Sequence, residues 1–311
     1  RDMASQVDVV IHNFRPGTME SLNLGCDALR TINPRLIYMA ISGFGTEGPL
    51  RRAPAYDPII QAHSGMAATQ GGDNSPAFIR SLLCDKITAY TACQAVTSAL
   101  FARERSGEGQ LIDLSMLDSG LFFMFPDGFQ NHALLDEDAI PGGMLIDILY
   151  DLTLTKDGGI TVAAANQEMQ GRMLKAIGLL HLLGDERFST MQKLVENLHI
   201  FRGLVAEKCL EYTSDELLAL LREVEVPCAK CLNRDEVLAQ EQLSANDSIA
   251  EVDHPHLGTL RVVKAPPRFG GERLEPSRPV PAHGEHTSAV LADFGLDSQR
   301  INTLRSEGVL G

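Results

Sequence analysis

The sequence predicts an α/β protein in which a large domain with a parallel sheet is followed by a smaller α+β domain. Two apolar runs, residues 7–12 and 36–42, are typical of buried strands, and helical spacing fills the residues between them. A strand, a helix and a strand within so short a stretch form a βαβ unit, whose strands are parallel. Asp, Glu, Pro and Gly dominate residues 126–143, which indicates a linker between the two domains.

The large domain is expected to place two loops at the same edge of its sheet. The polar residues 13–17 end the first strand, and the glycine-rich loop 43–49 ends the second. Ligands of parallel sheets bind beyond the carboxyl ends of the strands, so both loops lie where a ligand site is expected. The remaining elements are a short helix in 59–66, a strand-like run in 78–84, a long helix in 86–103, a strand in 111–115 and a helix that begins in 116–125.

The second domain begins with a hairpin pattern, in which the turn 156–159 separates the apolar runs 148–155 and 160–165. Helical spacing follows in residues 168–183, 193–212 and 214–224. We therefore expect five segments: a large domain over 1–125, a linker over 126–143, a small α+β domain over 144–240, an extended returning linker over 241–280, and C-terminal helices over 281–311 that rejoin the large domain.

The composition argues against several classes of protein. The chain carries 27 basic and 41 acidic residues, and this balance argues against a nucleic-acid partner, which needs a basic surface. No run of eighteen or more apolar residues is present, so we expect no membrane association. The six cysteines follow no dense pattern, which is typical of reduced thiols in the cytoplasm. Cys228 and Cys231 form a lone C-x-x-C, so we interpret them as buried thiols and expect no metal site.

Asp85 stands between an apolar run and the long helix, at the position where a helix begins. We expect backbone N–H groups to point towards its carboxylate and to keep it ionised. An Asp in this position is usually a helix cap. The residues alone therefore leave a structural role and a catalytic role open.

Seven short strings, distributed over most of the chain, stand in a characteristic order. They are NFRPG at 13–17, NPRLIY at 33–38, SGFG at 42–45 with GP at 48–49, AYD at 55–57, CDK at 84–86, GEGQLIDLS at 107–115 and GEHT at 284–287. In this order and spacing they resemble the family III CoA-transferases, which include formyl-CoA transferase and carnitine CoA-transferase, with the α-methylacyl-CoA racemases as relatives. The resemblance implies a Rossmann-like parallel-sheet large domain, a smaller α+β domain and an interlocked homodimer.

The resemblance also implies a reaction. In an acyl-CoA:carboxylate CoA-transferase of this family, Asp85 would be the nucleophile that forms first a mixed anhydride and then an aspartyl-CoA thioester. CoA enters as substrate, a carboxylic acid is the acceptor, and no tightly bound cofactor is expected. The residues that match the CoA-binding turns of the family are Asn13, Phe14, Arg15, Pro54, Ala55, Tyr56 and Asp57. Small dicarboxylic, aromatic and carnitine-type acids all stay open as substrates.

Tyr56 distinguishes between two branches of the family. In the racemase branch the matching position carries His, which acts as a base beside the aspartate. A phenol with an ordinary pKa near 10 is a poor base at neutral pH, so Tyr56 favours a transferase over an acyl-CoA racemase or epimerase. We interpret His63 as structural, and Arg51 and Arg52, which follow a turn, as solvated side chains.

Members of the family begin with a further strand–helix segment, which the sequence given does not contain. We therefore expect part of the CoA-binding surface to be absent, and a truncated, non-catalytic CoA-binding subunit is an alternative interpretation. In related enzymes a glycine-rich loop covers the intermediate. Gly142 and Gly143 are the candidates for that loop, and a plain linker is the alternative for them.

Overall fold

The computed structural model describes residues 1–72, 74–136, 152–164, 166–276 and 278–310, apart from the side chains of Gln130 and Met191. The chain divides into two compact units, Arg1–Ile148 and Leu149–Gly311. The five segments expected from the sequence stay a prediction. Part of the expected linker, with Gly142 and Gly143, lies outside the described residues.

A three-stranded parallel sheet organises the first unit, as the βαβ pattern predicts. Its strands are β1 (Val9–His12), β2 (Ile37–Ser42) and β3 (Leu111–Ser115), in the order β1-β2-β3. Strand β2 is central, and its first three residues are buried because helices and the flanking strands cover them. All three strands end at the same edge of the sheet, where the loops that follow them meet.

The longest helix of the first unit is α5 (Leu83–Ser106), which has 24 residues and ends at Gly107 in the left-handed conformation. It begins three residues earlier than the helix predicted for 86–103. The other helices of this unit are α1 (Thr18–Ser21), α2 (Cys26–Ile32), α3 (Asp57–His63), α4 (Met66–Gly71) and α6 (Met116–Gly128), with 3₁₀ turns at Met3–Ser5 and Gln130–Ala133. None of the helices in the described ranges is long and apolar enough to cross a membrane.

Two apolar clusters and one buried cation hold the first unit together. One cluster surrounds Tyr38, whose hydroxyl donates to the carbonyl of Leu24 at 3.0 Å. The other packs α3, α4, α5 and α6 around Ile60, Met66, Cys84, Ile87 and Met124. Arg103 near the end of α5 is buried and donates to the Asp8 carboxylate at 2.9 Å, so the helix is anchored to the residue that precedes β1.

The second unit contains a small antiparallel sheet and several short helices. Its sheet has the order β4 (Thr153–Leu154), β5 (Gly159–Val162), β6 (Cys228–Lys230). The helices are α7 (Gln167–Ala176), α8 (Met191–Glu196), α9 (Leu198–Cys209), α10 (Ser214–Glu223), α11 (Arg234–Leu238), α12 (Glu241–Ala245), α13 (Thr287–Asp293) and α14 (Ser298–Ser306), with 3₁₀ turns at Leu180–Gly184 and Glu186–Phe188. The expected single helix over 193–212 is interrupted at Asn197.

Residues 241–280 are more regular than the extended stretch that the sequence suggests. They contain two hairpins, β7 (Ile249–His254) with β8 (Gly258–Val263), and β9 (Arg268–Phe269) with β10 (Glu272–Arg273). The buried cation of this region is Lys264, which donates to Asp247 at 2.9 Å and to Glu275 at 2.7 Å. Partly buried and exposed side chains alternate along the strands of the first hairpin. The many Pro and Arg residues of the segment make this alternation hard to recognise in the sequence.

Candidate active site

A cavity of about 470 Å³ opens in the first unit where the parallel strands end. Five parts of the chain surround it: the turn after β1, the end of β2, the loop before α3, the first turns of α5, and the start of α6. The residues that line it are Asn13, Phe14, Arg15, Pro16, Ile41, Ser42, Gly43, Arg51, Ala53, Pro54, Ala55, Tyr56, Asp85, Thr88, Ala89 and Met116. The structure therefore brings together Asp85 and all of the candidate CoA-binding residues predicted from the sequence except Asp57.

Asp85 reaches the cavity from the first turn of α5, where it is the third helical residue. The residue at the N-cap position, Leu82, has no side-chain acceptor for the free N–H groups of that turn. The carboxylate of Asp57 supplies one: the backbone N–H of Asp85 donates to Asp57 Oδ2 at 3.2 Å. Asp85 is therefore not the cap of α5, and the expectation that backbone N–H groups point towards its carboxylate is wrong, because none donates to it within the described residues.

Asp57 lies behind the cavity wall, with only 2% of its surface exposed. Its second oxygen accepts a hydrogen bond from Gln61 Nε2 at 2.5 Å, one helical turn further along α3. Gln61 is also buried, and it accepts from the Ile79 N–H at 3.0 Å and donates to the carbonyl groups of Ile79 and Ser81 at 3.1 and 3.2 Å. The two side chains therefore tie α3 to the segment that enters α5.

The pKa of Asp85 is raised, first by partial burial of the carboxyl group and then by the neighbouring Asp57. This direction is opposite to the one expected for a carboxylate at a helix amino terminus. Burial, followed by the charges of Asp57 and Asp85, raises the pKa of the adjacent Cys84 to about 11. Cys84 therefore stays a neutral thiol at physiological pH, and Asp85 is the candidate nucleophile of this turn.

Several polar groups in the cavity are free to bind a ligand. Within the described residues, no hydrogen bond or ion pair engages the side chains of Asn13, Arg15, Arg51 or Tyr56, and Tyr56 is 75% exposed. Arg51 lines the cavity, whereas Arg52 does not. The prediction that Arg51 is only a solvated side chain is therefore not supported, and the sequence could not distinguish the two arginines because side chains in an irregular loop follow no period.

The orientation of Phe14 depends on the last residue of β1. The backbone N–H of Phe14 donates to His12 Nδ1 at 3.3 Å, and the two rings stack with centroids 6.1 Å apart. Burial lowers the pKa of His12, against the raising effects of Glu20 and Asp113. A neutral ring keeps Nδ1 available as an acceptor, so His12 holds the turn that carries Phe14 into the cavity.

Gly43 allows the loop after β2 to lie directly against the loop before α3. A Cβ atom at this position would be 2.2 Å from the Cβ of Ala55, which is far inside van der Waals contact. The backbone of Gly43 also accepts a hydrogen bond from the Leu117 N–H at 3.0 Å, at the start of α6. One wall of the cavity thus depends on a residue without a side chain.

The structure offers no cluster for a metal ion among the residues it describes. Cys228 is partly buried in β6 and Cys231 is exposed, so the prediction of two buried thiols is wrong for Cys231; both are free thiols. His63 contacts Phe44 edge to face at 5.1 Å and does not line the cavity.

Comparison with known proteins identifies the family of this chain. The model of CoA-transferase family III matches residues 1–287. The succinyl-CoA–D-citramalate CoA-transferase of Chloroflexus aurantiacus is 31% identical over 99% of this chain and 78% of the relative. The human succinyl-CoA:glutarate CoA-transferase is 27% identical over 100% of this chain and 72% of the relative. A crystal structure of a CAIB/BAIF family protein from Brucella suis superimposes with a TM-score of 0.78 at 28% identity, over 94% of this chain and 77% of that one.

The chain therefore belongs to CoA-transferase family III and is an enzyme of that family, as the seven sequence strings predict. Its mixed α/β fold with a parallel sheet is the fold of these structural neighbours.

Proposed function

We propose that this enzyme transfers CoA between carboxylic acids through a covalent intermediate on Asp85. The observation that carries the proposal is the charge arrangement of the cavity. Among the described residues that line it, Asp85 is the one carboxylate, and it shares the cavity with the free guanidinium groups of Arg15 and Arg51. A nucleophilic carboxylate beside cations suits a reaction between an anionic thioester and an anionic acid.

The proposed reaction has four acyl-transfer steps. The Asp85 carboxylate attacks the thioester carbonyl and expels CoA thiolate, which gives a mixed anhydride. The thiolate then attacks the aspartyl carbonyl, releases the donor acid as its carboxylate and leaves an aspartyl-CoA thioester. The acceptor carboxylate attacks this thioester and expels CoA thiolate again. Attack of the thiolate on the acceptor carbonyl forms the new acyl-CoA and restores Asp85. The four steps balance without a metal, a redox cofactor or a net proton.

The raised pKa of Asp85 supports its assignment as the nucleophile. A carboxylate is a weak nucleophile, and partial desolvation beside a second carboxylate increases its basicity. Protonation removes the attacking lone pair, so the first step is expected to slow as the pH falls through the pKa of Asp85.

We propose that Asn13, Phe14, Arg15, Pro54, Ala55 and Tyr56 contact CoA, with Arg15 and Arg51 paired to its phosphates. All of them line the cavity, and guanidinium groups bind phosphate through two parallel hydrogen bonds. Asp57 is buried and engaged by Gln61 and Asp85, so a direct contact with CoA is not proposed for it.

Small dicarboxylic acids are the proposed substrates. Relatives of this chain are named for succinyl-CoA with D-citramalate and with glutarate.

A homodimer in the cytoplasm is the proposed state of the protein. Helix α6 supports the dimer, because Phe122 is 83% exposed and Leu121, Phe123 and Phe125 are also exposed. Free thiols at all six cysteines support a reducing compartment.

The test is to incubate the protein with a panel of acyl-CoAs, quench with hydroxylamine and map the modified peptides by mass spectrometry. An adduct on Asp85 that is absent from Asp85→Asn and retained in Asp118→Asn is the expected result. Asp118 is a suitable control because it lies exposed in the first turn of α6 and does not line the cavity. Loss of deuterium from the α-carbon without an adduct would instead indicate a racemase, and CoA binding without either reaction a non-catalytic subunit.

A further inference from the structure

Asp57 and Gln61 form a buried polar pair that faces the back of the candidate nucleophile. Both belong to α3, four residues apart, so their side chains leave the same face of the helix. They are 2% and 1% exposed. Neither lines the cavity, and the proposed reaction uses neither of them directly.

The fold does not require a carboxylate at position 57. The two oxygens of Asp57 receive one N–H from Gln61 and one from the backbone of Asp85. No cation pairs with this carboxylate among the described residues. An uncompensated buried carboxylate is unfavourable, and a neutral Asn would also offer an acceptor to the Asp85 N–H. The charge at position 57 therefore needs a reason other than stability.

We propose that Asp57, held by Gln61, is a positioning residue that fixes the first turn of α5 and keeps a negative charge behind the Asp85 carboxylate. The inference rests on the proposed function of Asp85 as the nucleophile. Its structural basis is the chain of contacts from Gln61 through Asp57 to the Asp85 backbone, together with the bonds from Gln61 to Ile79 and Ser81. These bonds hold both the segment before α5 and the first turn of the helix.

This chain of contacts affects both the position of the Asp85 carboxylate and the charge next to it. A nucleophile displaced by about 1 Å loses on the order of 100-fold in rate, so the register of the first turn matters. Arg15, from the turn after β1, and Arg51, from the loop before α3, line the same cavity, whereas Lys86 beside Asp85 on α5 donates to Ser81 Oγ at 2.9 Å. Asp57 from α3 is the one charged group that acts on the pKa of Asp85.

Two variants separate these effects. Asp57→Asn keeps the shape of the side chain and removes the charge, whereas Asp57→Glu keeps the charge and displaces it. The first measurement is the pH dependence of Asp85 modification by a water-soluble carbodiimide with glycine ethyl ester, read by peptide mass spectrometry. Carbodiimides react with the protonated carboxyl, so the midpoint reports the Asp85 protonation state without any acyl-CoA. The second measurement is the rate of acyl adduct formation at Asp85.

The expected result has two parts. Asp57→Asn moves the midpoint of modification to lower pH, and Asp57→Glu leaves it in place but slows adduct formation by about 10- to 100-fold. Asp118→Asn, the control, changes neither. A purely structural role would lower the melting temperature and leave the midpoint unmoved. An unchanged midpoint in folded Asp57→Asn, or wild-type adduct rates in Asp57→Glu, overturns the inference.

The design also separates this inference from the proposed function. Failure of the wild-type protein to form any adduct, with the midpoint shifted in Asp57→Asn, rejects the transferase mechanism and leaves the charge effect intact. Adduct formation in the wild type, with no effect of either variant, rejects the role of Asp57 alone.

Discussion

The N–H of Asp85 and the carboxylate of Asp57 meet at 3.2 Å, although 28 positions separate the two residues in the chain. Helix α5 therefore begins with an acceptor that comes from the first turn of α3. Most helices obtain this acceptor from their own N-cap residue. Here Leu82 has no acceptor, and the start of α5 depends on a tertiary contact.

Replacement of Asp85 by Asn is expected to change stability in a pH-dependent way. Because the folded-state pKa of Asp85 is raised, the ionised group opposes folding at neutral pH, and this cost disappears as the pH falls through that pKa. The free energy of unfolding of Asp85→Asn should therefore exceed that of the wild type by more at pH 7 than at pH 4. The change in this difference should be at most about 1 kcal/mol, because the side chain is largely exposed. Urea unfolding at both pH values measures the difference. A constant difference across the range would contradict the prediction.

Replacement of Gln61 by Leu is expected to destabilise the first unit by about 2 kcal/mol, because Asp57 and the backbone groups of Ile79 and Ser81 would lose buried partners. Gln94→Leu is the matched control, since Gln94 is exposed on α5 and should change stability by less than about 0.5 kcal/mol. Denaturant titrations of both variants provide the comparison. Equal effects of the two substitutions would show that the buried amide is not specifically needed.

Arg51 and Arg52 are neighbours of the same type, and one of them lines the cavity. Arg51→Gln and Arg15→Gln are each expected to weaken CoA binding by about tenfold or more, because a hydrogen bond to a charged group contributes about 1.5–3 kcal/mol. Arg52→Gln should leave the affinity nearly unchanged. Calorimetric titration at two salt concentrations tests this, and the salt dependence should decrease only in the first two variants. Equal losses for Arg51 and Arg52 would argue for a general charge effect.

Phe122 is expected to lie in the contact between two copies of the chain. Phe122→Arg should weaken self-association by about tenfold or more, since buried aromatic residues contribute strongly at interfaces. Phe122→Leu keeps an apolar side chain and should remain dimeric. Light scattering across a concentration series distinguishes these states. A wild-type protein that is monomeric at micromolar concentration would refute the dimer itself.

The pattern of apolar residues in the sequence was sufficient to predict the first two strands of the parallel sheet. The runs at 7–12 and 36–42 predicted the first two strands of the parallel sheet, and the topology rule for such sheets brought the loops that follow them to one edge. Residues 13–16 and 43 of these loops consequently line one cavity, which Asp85 on α5 also lines. Their roles in catalysis and in CoA binding stay predictions.

The sequence could not supply the contacts behind the cavity. The spacing of Asp57 and Gln61 shows that they share a helix face, but only tertiary packing decides that this face is buried and meets α5. The sequence also did not reveal that the helix predicted over 193–212 is interrupted at Asn197. Apolar residues continue on both sides of Asn197, and no Pro or Gly marks the end of α8. Arg51 shows the same limit for loops, whose side chains follow no period.

Gly43 also determines which parts of the enzyme can be redesigned. Because even a methyl group there would collide with Ala55, every substitution must push the neighbouring loop outwards, and Tyr56 with it. A mutant library aimed at new acceptor acids therefore has little to gain at this position. Ala53 and Ala89 line the same cavity and are not buried, so larger side chains at these two positions are better candidates to reshape it.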